Sequence, residues 1–456
     1  MSGRTATALT PDPTLERLAP RVWIGGSPLR LFRLSAAGDR LLGGLARRGR
    51  WCPDGDAETA LGSRLVEAGA VHPQPSVPSA DKRGEVTVVV PVRDDAEGLR
   101  GLLEDLEGSG VRAVIVVDDG SRDGAAVERL VSSAGGLSLR HATARGPAAA
   151  RNAGLELVDS PLVAFVDSDV RCPQGWLDPL LGHLEQPDVA AAAPRVRSAR
   201  DSGFLAAHER LSGPLDLGPT AARVSPLSRV SYVPSAAILV RTAQLRSLGG
   251  FDESLRVGED VDLVWRIVES AAMVRYEPAS EVVHRTRPSL TRWVRQRYDY
   301  GTSAAALDER HPGAAAPVAV SPWSALAWTA ICSGHPLSGV AVAAGTALAL
   351  SRKLQGVPPK RVLALAAEGH LGAARQLTRA VIRPWWPLAL GASVFSRRAR
   401  RLTLAALVAE VATTRGGPAD RALGLLEDLG YSSGVWVGAL RSRRPGALLP
   451  RLRRWP

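Results

Sequence analysis

Apolar runs alternate with amphipathic stretches between residues 84 and 310. EVTVVVPV and AVIVVDDGS are short runs rich in β-branched residues, which is typical of strands buried on both faces. LRGLLEDLEG places apolar residues at spacings of three and four, which predicts a helix between the strands. The alternation continues through PLVAFVDSDV, so we expect an α/β fold whose parallel sheet is covered by helices on both faces.

The first 80 residues follow a different pattern. RVWIGGSPLRLFRLS predicts two short strands around a Gly-Gly-Ser-Pro turn, and ALGSRLVEAGAV has helical spacing. The Pro-rich HPQPSVPSADKRG then separates this segment from the alternating region. A strand hairpin followed by helices predicts a small winged-helix-like module over residues 1–80.

The last region, residues 311–456, is apolar, rich in arginine and predicted to be helical. Two apolar stretches on either side of SGHP are each about 15 residues long, shorter than the roughly 20 residues of a simple membrane span. VIRPWWPLALGASVFSRRARR places tryptophans beside a basic cluster, which is typical of helices at a membrane interface. An ordinary helical domain and a membrane-associated one both remain open.

Charge is distributed unevenly along the chain. The formal net charge is +12, and the residues from Arg285 onward hold 25 basic and 8 acidic side chains. This excess would suit anionic lipid headgroups, although a merely solvated basic surface explains it equally well. Cys52, Cys172 and Cys332 form no CxxC pair, which indicates neither a disulfide framework nor a zinc site. Because no basic stretch followed by an apolar core opens the sequence, we expect a cytoplasmic active site, with the C-terminal region peripheral or integral at the inner face of the cell membrane.

Carboxylates stand at the predicted ends of two strands. Asp118 and Asp119 follow one strand, and Asp167 and Asp169 follow another. Ligands of parallel α/β sheets bind beyond the carboxyl ends of the strands, so these side chains are candidates for one site. Two carboxylates at i and i+2 supply hard oxygen ligands for a Mn²⁺ or Mg²⁺ ion that bridges the phosphates of a nucleoside diphosphate. We therefore predict a metal site at Asp167 and Asp169.

Other residues of this region are candidates for holding the nucleotide sugar. A carboxylate at Asp118–Asp119 can accept the imide N–H of uracil, although the same sequence is common in capped turns. Arg151, near the start of a predicted helix, could reach the diphosphate, and a surface arginine is the alternative. Arg297, in RWVRQRYDYG, could close over the diphosphate or belong to a packing stripe. The candidates for nucleotide-sugar binding are Asp118, Asp119, Gly120, Arg151, Asp167 and Arg297.

An acidic pair is the candidate for catalysis. Glu259 and Asp260 follow a glycine-rich turn and begin an amphipathic helix. A sugar hydroxyl is a poor nucleophile near neutral pH, so transfer with inversion needs a carboxylate base on the acceptor side. Asp260 is the candidate for that base, and Glu259 would help to place the acceptor. His284 could complete the metal site, and a structural histidine is the alternative.

Over about residues 84–300 the chain resembles glycosyltransferase family 2, through the motifs VVVPVRDD, VVDDGSRDG, GPAAARNAG, FVDSDV, GGFDE and GEDVDLVWR. The resemblance implies the GT-A fold and transfer with inversion from a nucleoside diphosphate sugar. Carried onto the matching positions, it implies nucleobase binding by Asp118, metal and diphosphate binding by Asp167 and Asp169, the base at Asp260 and an additional metal ligand at His284.

The flanking regions add a second resemblance. Residues 1–80 resemble a PqqD-like module, the kind that recognises precursor peptides of ribosomally made, modified products. Such a module ahead of a family 2 domain, with SPWSALAW after it, is similar to the glycosyltransferases of mycofactocin systems. This resemblance implies UDP-glucose as the donor and the redox cofactor mycofactocin or its precursor as the acceptor, extended to a short oligosaccharide.

Two other functions remain open from the sequence. A membrane-associated glycolipid or polysaccharide synthase of the same family would require several membrane spans, and no Gln-x-x-Arg-Trp motif follows Asp260, only Gln296-Arg297-Tyr298. A basic peptide- or nucleic-acid-binding protein is the alternative that is not an enzyme. Carboxylates at the strand ends would repel a polyanion, so we expect no nucleic-acid partner.

Overall fold

The computed structural model describes a mixed α/β chain over residues 7–200, 203–285 and 289–453. In chain order its strands are β1 (Leu9–Pro11), β2 (Glu16–Ala19), β3 (Val22–Gly25), β4 (Arg30–Arg33), β5 (Val71–Pro73), β6 (Val86–Val92), β7 (Ala113–Asp118), β8 (Leu137–Arg140), β9 (Leu162–Val166), β10 (Val170–Arg171), β11 (Val189–Ser198), β12 (Ala222–Arg223), β13 (Ala237–Arg241), β14 (Met273–His284), β15 (Ala319–Val320) and β16 (Arg451–Leu452).

Helices occupy much of the remaining chain and dominate its last third. In chain order they are α1 (Ala36–Arg48), α2 (Gly55–Glu67), α3 (Ala96–Leu106), α4 (Gly124–Ser133), α5 (Pro147–Glu156), α6 (Leu177–Leu184), α7 (Phe204–Ser212), α8 (Thr242–Ser247), α9 (Glu259–Glu269), α10 (Leu290–Thr302), α11 (Ala304–Arg310), α12 (Pro322–Cys332), α13 (Pro336–Lys353), α14 (Pro359–Ile382), α15 (Trp386–Phe395), α16 (Arg397–Thr413) and α17 (Pro418–Ser442). Short 3₁₀ helices occur at Ala80–Glu85 and Gly446–Leu448.

The chain divides into two compact units, and each of them combines segments that are distant in sequence. The first comprises Met1–Asp12 and Arg48–Pro288. The second comprises Pro13–Arg47 and Ser289–Pro456. This division differs from the three predicted regions, whose assignment as separate functional modules stays a prediction.

The first unit is built on a nine-stranded sheet. Its strand order is β10-β14-β11-β13-β9-β6-β7-β8, and β12 pairs with β14. β6 runs parallel to both β7 and β9, and β7 runs parallel to β8. β13 is antiparallel to both β9 and β11, so the sheet is mixed and mostly parallel. The predicted α/β fold class is confirmed.

The amino-acid pattern of β6 explains its central place in this sheet. Val88, Val89 and Val90 are fully buried, so both faces of the strand are covered, as a continuous β-branched run predicts. The helix that follows begins where Asp95 accepts a hydrogen bond from the amide of Gly98, which satisfies a donor that has no partner within the helix. Because β6, β7 and β9 are parallel, their carboxyl ends lie at one edge of the sheet. The predicted carboxylates stand at the ends of β7 and β9 at that edge.

In the second unit a three-stranded sheet packs on C-terminal helices. Leu18 and Val22 of this sheet share a buried cluster with Leu354 and Val362. The indole Nε1 of Trp23 donates to the Asp39 carboxylate over 2.7 Å. The predicted hairpin is present as β3 and β4. Helices α1 and α2 fall largely into different units, because β1 pairs with β5 and these two strands belong to the first unit with α2.

The two apolar stretches on either side of SGHP form the separate helices α12 and α13, with Ser333–His335 between them, as predicted. The stretch VIRPWWPLALGASVFSRRARR is divided among the end of α14, α15 and the start of α16. None of the described helices combines the length and the hydrophobicity that crossing a membrane requires.

Candidate active site

The Asp167-Ser168-Asp169 turn joins β9 to β10 at the carboxyl end of β9. β10 pairs with the end of β14, so that Val170 lies opposite His284. This pairing brings Asp169 Oδ2 to 3.4 Å from His284 Nε2. Two of the three predicted metal ligands are therefore neighbours, although they are far apart in sequence.

A buried arginine connects this turn to the acidic pair at the start of α9. Arg151 Nη2 donates to Asp167 Oδ1 and Nη1 donates to Glu259 Oε1, both over 2.7 Å. The guanidinium also lies over the ring of Phe251, 5.4 Å from its centroid. Burial opposes the charge, but the carboxylates of Asp167 and Glu259 outweigh it and raise the pKa of Arg151 above its usual range. Arg151 is therefore a permanent cation that holds two carboxylates in place.

The electrostatics of the turn favour a bound cation. Burial raises the pKa of Asp167, and the neighbouring Asp169 carboxylate adds to the effect, whereas Arg151 and His284 oppose it. The Asp167 side chain nevertheless remains 30% exposed, so one part of it faces solvent. A cation between the two aspartates would relieve their mutual repulsion.

Asp260 is held by backbone amides at the first turn of α9. Its Oδ2 accepts a hydrogen bond from Ser235 N (3.2 Å) and its Oδ1 accepts one from Val261 N (2.8 Å). Gly258, which precedes the helix, has a φ of 86°, a left-handed conformation that favours glycine. Burial and the adjacent Glu259 carboxylate raise the pKa of Asp260 to about 6. A carboxylate with this pKa suits general base catalysis near neutral pH.

Asp118 ends β7 with its carboxylate almost completely buried. Ser121 N donates to Oδ1 over 2.8 Å, and Arg140 Nη1 donates to Oδ2 over 2.6 Å. Both oxygens thus have partners within the protein, which is the geometry of a capped turn. A nucleobase N–H would share one of them, and the predicted role in nucleobase binding stays a prediction.

Asp119 ties the same turn to the segment before α5. His141 Nδ1 lies 2.8 Å from its Oδ1, and the amides of Arg145 and Gly146 donate to the carboxylate, each over 2.8 Å. Burial opposes ionisation, but these hydrogen bonds outweigh it and hold the pKa of Asp119 below its usual value. At Gly120 a Cβ would lie 2.8 Å from the backbone nitrogen of Ala144, so the glycine permits a close approach between two backbone segments.

Arg297 is the one candidate that lies in the second unit. It is 3% exposed, its Nε donates to Glu427 over 3.1 Å, and its guanidinium lies 4.8 Å from the ring centroid of Trp293. These contacts correspond to the packing stripe considered as the alternative, and its diphosphate role stays a prediction.

The residues at the Asp-Ser-Asp turn fit a divalent cation in part. Among residues 7–200, 203–285 and 289–453, no cluster of three or more His, Cys, Asp or Glu side chains forms a complete metal-binding group. Two ligands bound at about 2.1 Å to one ion lie about 3 Å apart, close to the separation of Asp169 Oδ2 and His284 Nε2. These two side chains, with the exposed part of Asp167, can therefore supply some of the ligands, and diphosphate oxygens and water would complete the set.

Sequence reasoning missed a second group of contacts behind the turn. Ser168 Oγ donates to Asp95 Oδ2 over 3.1 Å, and Asp95 also caps α3. Arg285 follows His284 and lies within ion-pair distance of Asp95 (3.7 Å) and Glu97 (3.3 Å). The signal was available, because Asp95 lies three residues beyond the end of β6, a strand that runs parallel to β9.

Comparisons with known proteins identify the family of this arrangement. Residues 87–243 match the model of "Glycosyl transferase family 2". The chain is 41% identical, over 94% of its length and 94% of theirs, to the "Pre-mycofactocin glycosyltransferase" of two Mycobacterium tuberculosis strains. Among solved structures it is similar to a mannosyltransferase from Pyrobaculum calidifontis in complex with GDP-Man and Mn²⁺, with 18% identity and a TM-score of 0.44 over 81% of this chain and 90% of that one.

Proposed function

The chain belongs to glycosyltransferase family 2, and from this premise we propose that it moves a hexose from UDP-glucose onto mycofactocin or its precursor, with inversion, and builds a short oligosaccharide there. The proposal for the acceptor is supported by the name of the relatives that match nearly the whole chain. The proposal for UDP-glucose rests on the family resemblance in the sequence.

One observation carries the proposed mechanism: Arg151 bridges Asp167 of the strand-end turn and Glu259 beside Asp260. The bridge connects Asp167 with Glu259, the neighbour of Asp260, and this connection supports the proposal that the base and the diphosphate site act together. Asp260 would accept the proton of the acceptor hydroxyl while the oxygen of that hydroxyl forms a bond to the anomeric carbon of the donor. The bond from that carbon to the diphosphate oxygen breaks at the same time, and the nucleoside diphosphate leaves with the electron pair.

Asp169 and His284, with Asp167, would hold a Mn²⁺ or Mg²⁺ ion. Bound there, the cation would neutralise the charge that develops on the diphosphate leaving group. Arg151 keeps Asp167 in position for this task, and both of its terminal nitrogens are already engaged by carboxylates. We therefore propose that Arg151 acts on the diphosphate through Asp167 and not by a direct contact. Glu259, held by the same arginine, would act mainly as its buried counter-ion.

We also propose that the N-terminal residues recognise the acceptor. β4 lies at the edge of the three-stranded sheet and exposes Leu31, and Leu29 is exposed just before it. An exposed sheet edge can accept an extended peptide as an additional strand. Because Leu18 and Val22 of this sheet are part of a core with Leu354, deletion of residues 1–80 would disrupt the second unit. Leu31→Ser is therefore the sharper change: it should raise the KM for the acceptor and leave donor hydrolysis unaltered.

The first test of the proposed function is a thermal-shift titration with UDP-glucose, GDP-mannose and UDP, each with and without Mn²⁺. A ligand that binds only the folded state raises the melting temperature once its concentration exceeds the dissociation constant. We expect a Mn²⁺-dependent rise with UDP and UDP-glucose that Asp169→Ala abolishes. Asp56→Ala, at an exposed aspartate on α2 in the same unit, is the matched control and should keep the rise.

Transfer itself is measured by mass spectrometry of the acceptor after incubation with UDP-glucose. Addition of hexose to mycofactocin or its precursor is the expected product. A Mn²⁺-dependent rise in melting temperature with GDP-mannose alone would contradict UDP-glucose as the donor. Hexose transfer to a lipid extract but not to mycofactocin or its precursor would contradict the proposed acceptor.

A further inference from the structure

Helix α15, in the second unit, lies on the surface and exposes most of its large apolar side chains to solvent. None of its residues is buried. Phe395 at its C-terminal end is 92% exposed, and Val394 is 71% exposed. An isolated exposed leucine on a protein surface needs no explanation, but four large apolar side chains of one short helix, each more than half exposed, are costly unless a partner covers them; they are Leu388, Leu390, Val394 and Phe395.

The start of α13 also exposes apolar side chains. Arg398, in the first turn of α16, donates a hydrogen bond from Nη1 to Ser333 O in the loop before α13. This contact links the first turn of α16 to the loop before α13. Leu337 and Val340 of those turns are 85% and 61% exposed. We refer to Leu337, Val340, Leu388, Val394 and Phe395 as the apolar rim.

Basic side chains border the apolar rim, and acidic ones are rare near it in sequence. Arg397, Arg398, Arg400 and Arg401 begin α16 directly after Phe395, and all four are exposed. From Arg310 to Ala409 the sequence contains a single acidic residue, Glu368. The cations are adjacent to the apolar side chains, which is the arrangement of helices that lie in the interface of an anionic bilayer.

We propose that the apolar rim and its four arginines form a docking surface for an anionic lipid bilayer, with Phe395 and Leu337 inserted among the acyl chains and the arginines on the headgroups. Charge complementarity argues for this partner over a second copy of the chain, because two copies meeting at this surface would bring their arginine clusters together. The inference concerns the second unit alone and does not depend on which donor or acceptor the first unit uses.

The test is co-sedimentation of the full chain with vesicles. Vesicles of phosphatidylglycerol and phosphatidylcholine in equal amounts are compared with vesicles of phosphatidylcholine alone. We expect binding to the anionic vesicles, weakened between about 0.15 M and about 0.5 M salt because exposed charges are then screened. Arg397→Gln and Arg400→Gln should each lower the affinity about fivefold, since one basic residue near an anionic surface contributes roughly that factor.

Variants of the apolar rim separate insertion from charge. Phe395→Ser should lower the affinity at least tenfold, because a buried phenylalanine side chain contributes more than one arginine at a membrane surface. Leu440→Ser, at a residue 70% exposed in the last turn of α17, is the matched control and should bind like the parent chain. Unchanged melting temperatures ensure that each variant is folded.

Four results would overturn the proposal. Three of them are absence of binding to the anionic vesicles, equal binding to both kinds of vesicle, and retained binding after Phe395→Ser. A fourth is a dimer in light scattering that Phe395→Ser dissociates, which would assign the apolar rim to a second copy of the chain.

Discussion

Asp260→Asn is expected to have opposite effects on activity and on stability. The substitution removes the proposed base and keeps the size and most hydrogen-bonding capacity of the side chain. Transfer should fall by about 10²–10⁴-fold, the usual contribution of a positioned general base. The free energy of unfolding should rise at alkaline pH, because the folded chain holds the ionised carboxylate of Asp260 in an unfavourable environment.

The size of the stability change follows from the pKa of Asp260. Burial and the Glu259 carboxylate raise it from the ordinary 3.8 to about 6, a difference that corresponds to about 3 kcal/mol. Water screens part of this effect because the side chain is not fully buried, so we expect about 1–2 kcal/mol. The raised pKa means that the folded state binds the proton more tightly than the unfolded state. The contribution of Asp260 is therefore most favourable below about 3.8 and is lost as the pH rises through about 6.

Two measurements check this reasoning. The melting temperature of Asp260→Asn should exceed that of the parent chain by about 2–6 °C at pH 8, and the gap should narrow as the pH falls from about 6 towards 4. In the parent chain kcat/KM should fall on the acid side with an apparent pKa near 6, the value to which burial and the Glu259 carboxylate raise the pKa of Asp260.

A control and a refuting outcome complete the design. Asp56→Asn, at an exposed position on α2, should change neither the pH dependence of kcat/KM nor the pH dependence of the melting temperature. If Asp260→Asn melts below the parent chain at pH 8 and retains transfer, Asp260 is a structural carboxylate and the assignment of the base is wrong.

Two further predictions concern buried groups of the first unit. Arg151→Gln leaves Asp167 and Glu259 without their cation, so we expect a loss of about 3 kcal/mol or more in unfolding free energy and weaker Mn²⁺ binding in calorimetry; an unchanged melting temperature would contradict the bridging role. Burial raises the pKa of the Cys172 thiol well above its usual range. In a thiol-reagent assay at pH 8 the exposed Cys52 should therefore react at least tenfold faster than Cys172. Comparable rates would contradict the packing around α6.

Local sequence was sufficient to predict the strand-end carboxylates. A continuous run such as Val88–Val90 is typical of a strand that is buried on both faces. The residues that follow such a strand lie at the edge of the sheet. Asp118 and Asp167 were found because they occupy that point. The same rule would have found Asp95, which follows β6 and contacts Ser168.

The grouping of the N-terminal residues was beyond local reasoning. Hairpin and helix signals within residues 1–80 are correct as elements, but their assignment to units depends on partners far along the chain. Thr10 lies opposite His72 in the β1–β5 ladder of the first unit. Glu16, only six residues later, forms an ion pair with Arg361 in the second unit. A pattern with a period of two or 3.6 residues predicts one element and does not predict contacts between residues so far apart in sequence.

The role of Arg151 shows the same limit within the active site. Its position near the start of a helix suggested a direct contact with the diphosphate, because a helix N-terminus and a guanidinium both favour anions. In the structure its terminal nitrogens pair with two carboxylates from distant segments, Asp167 and Glu259, and its role towards the diphosphate stays a proposal. An arginine this deeply buried is stable only with such partners, so the number of acidic side chains that surround a buried cation decides whether it is available to a ligand. The sequence contains all of these residues, and only the fold determines which carboxylates reach the arginine.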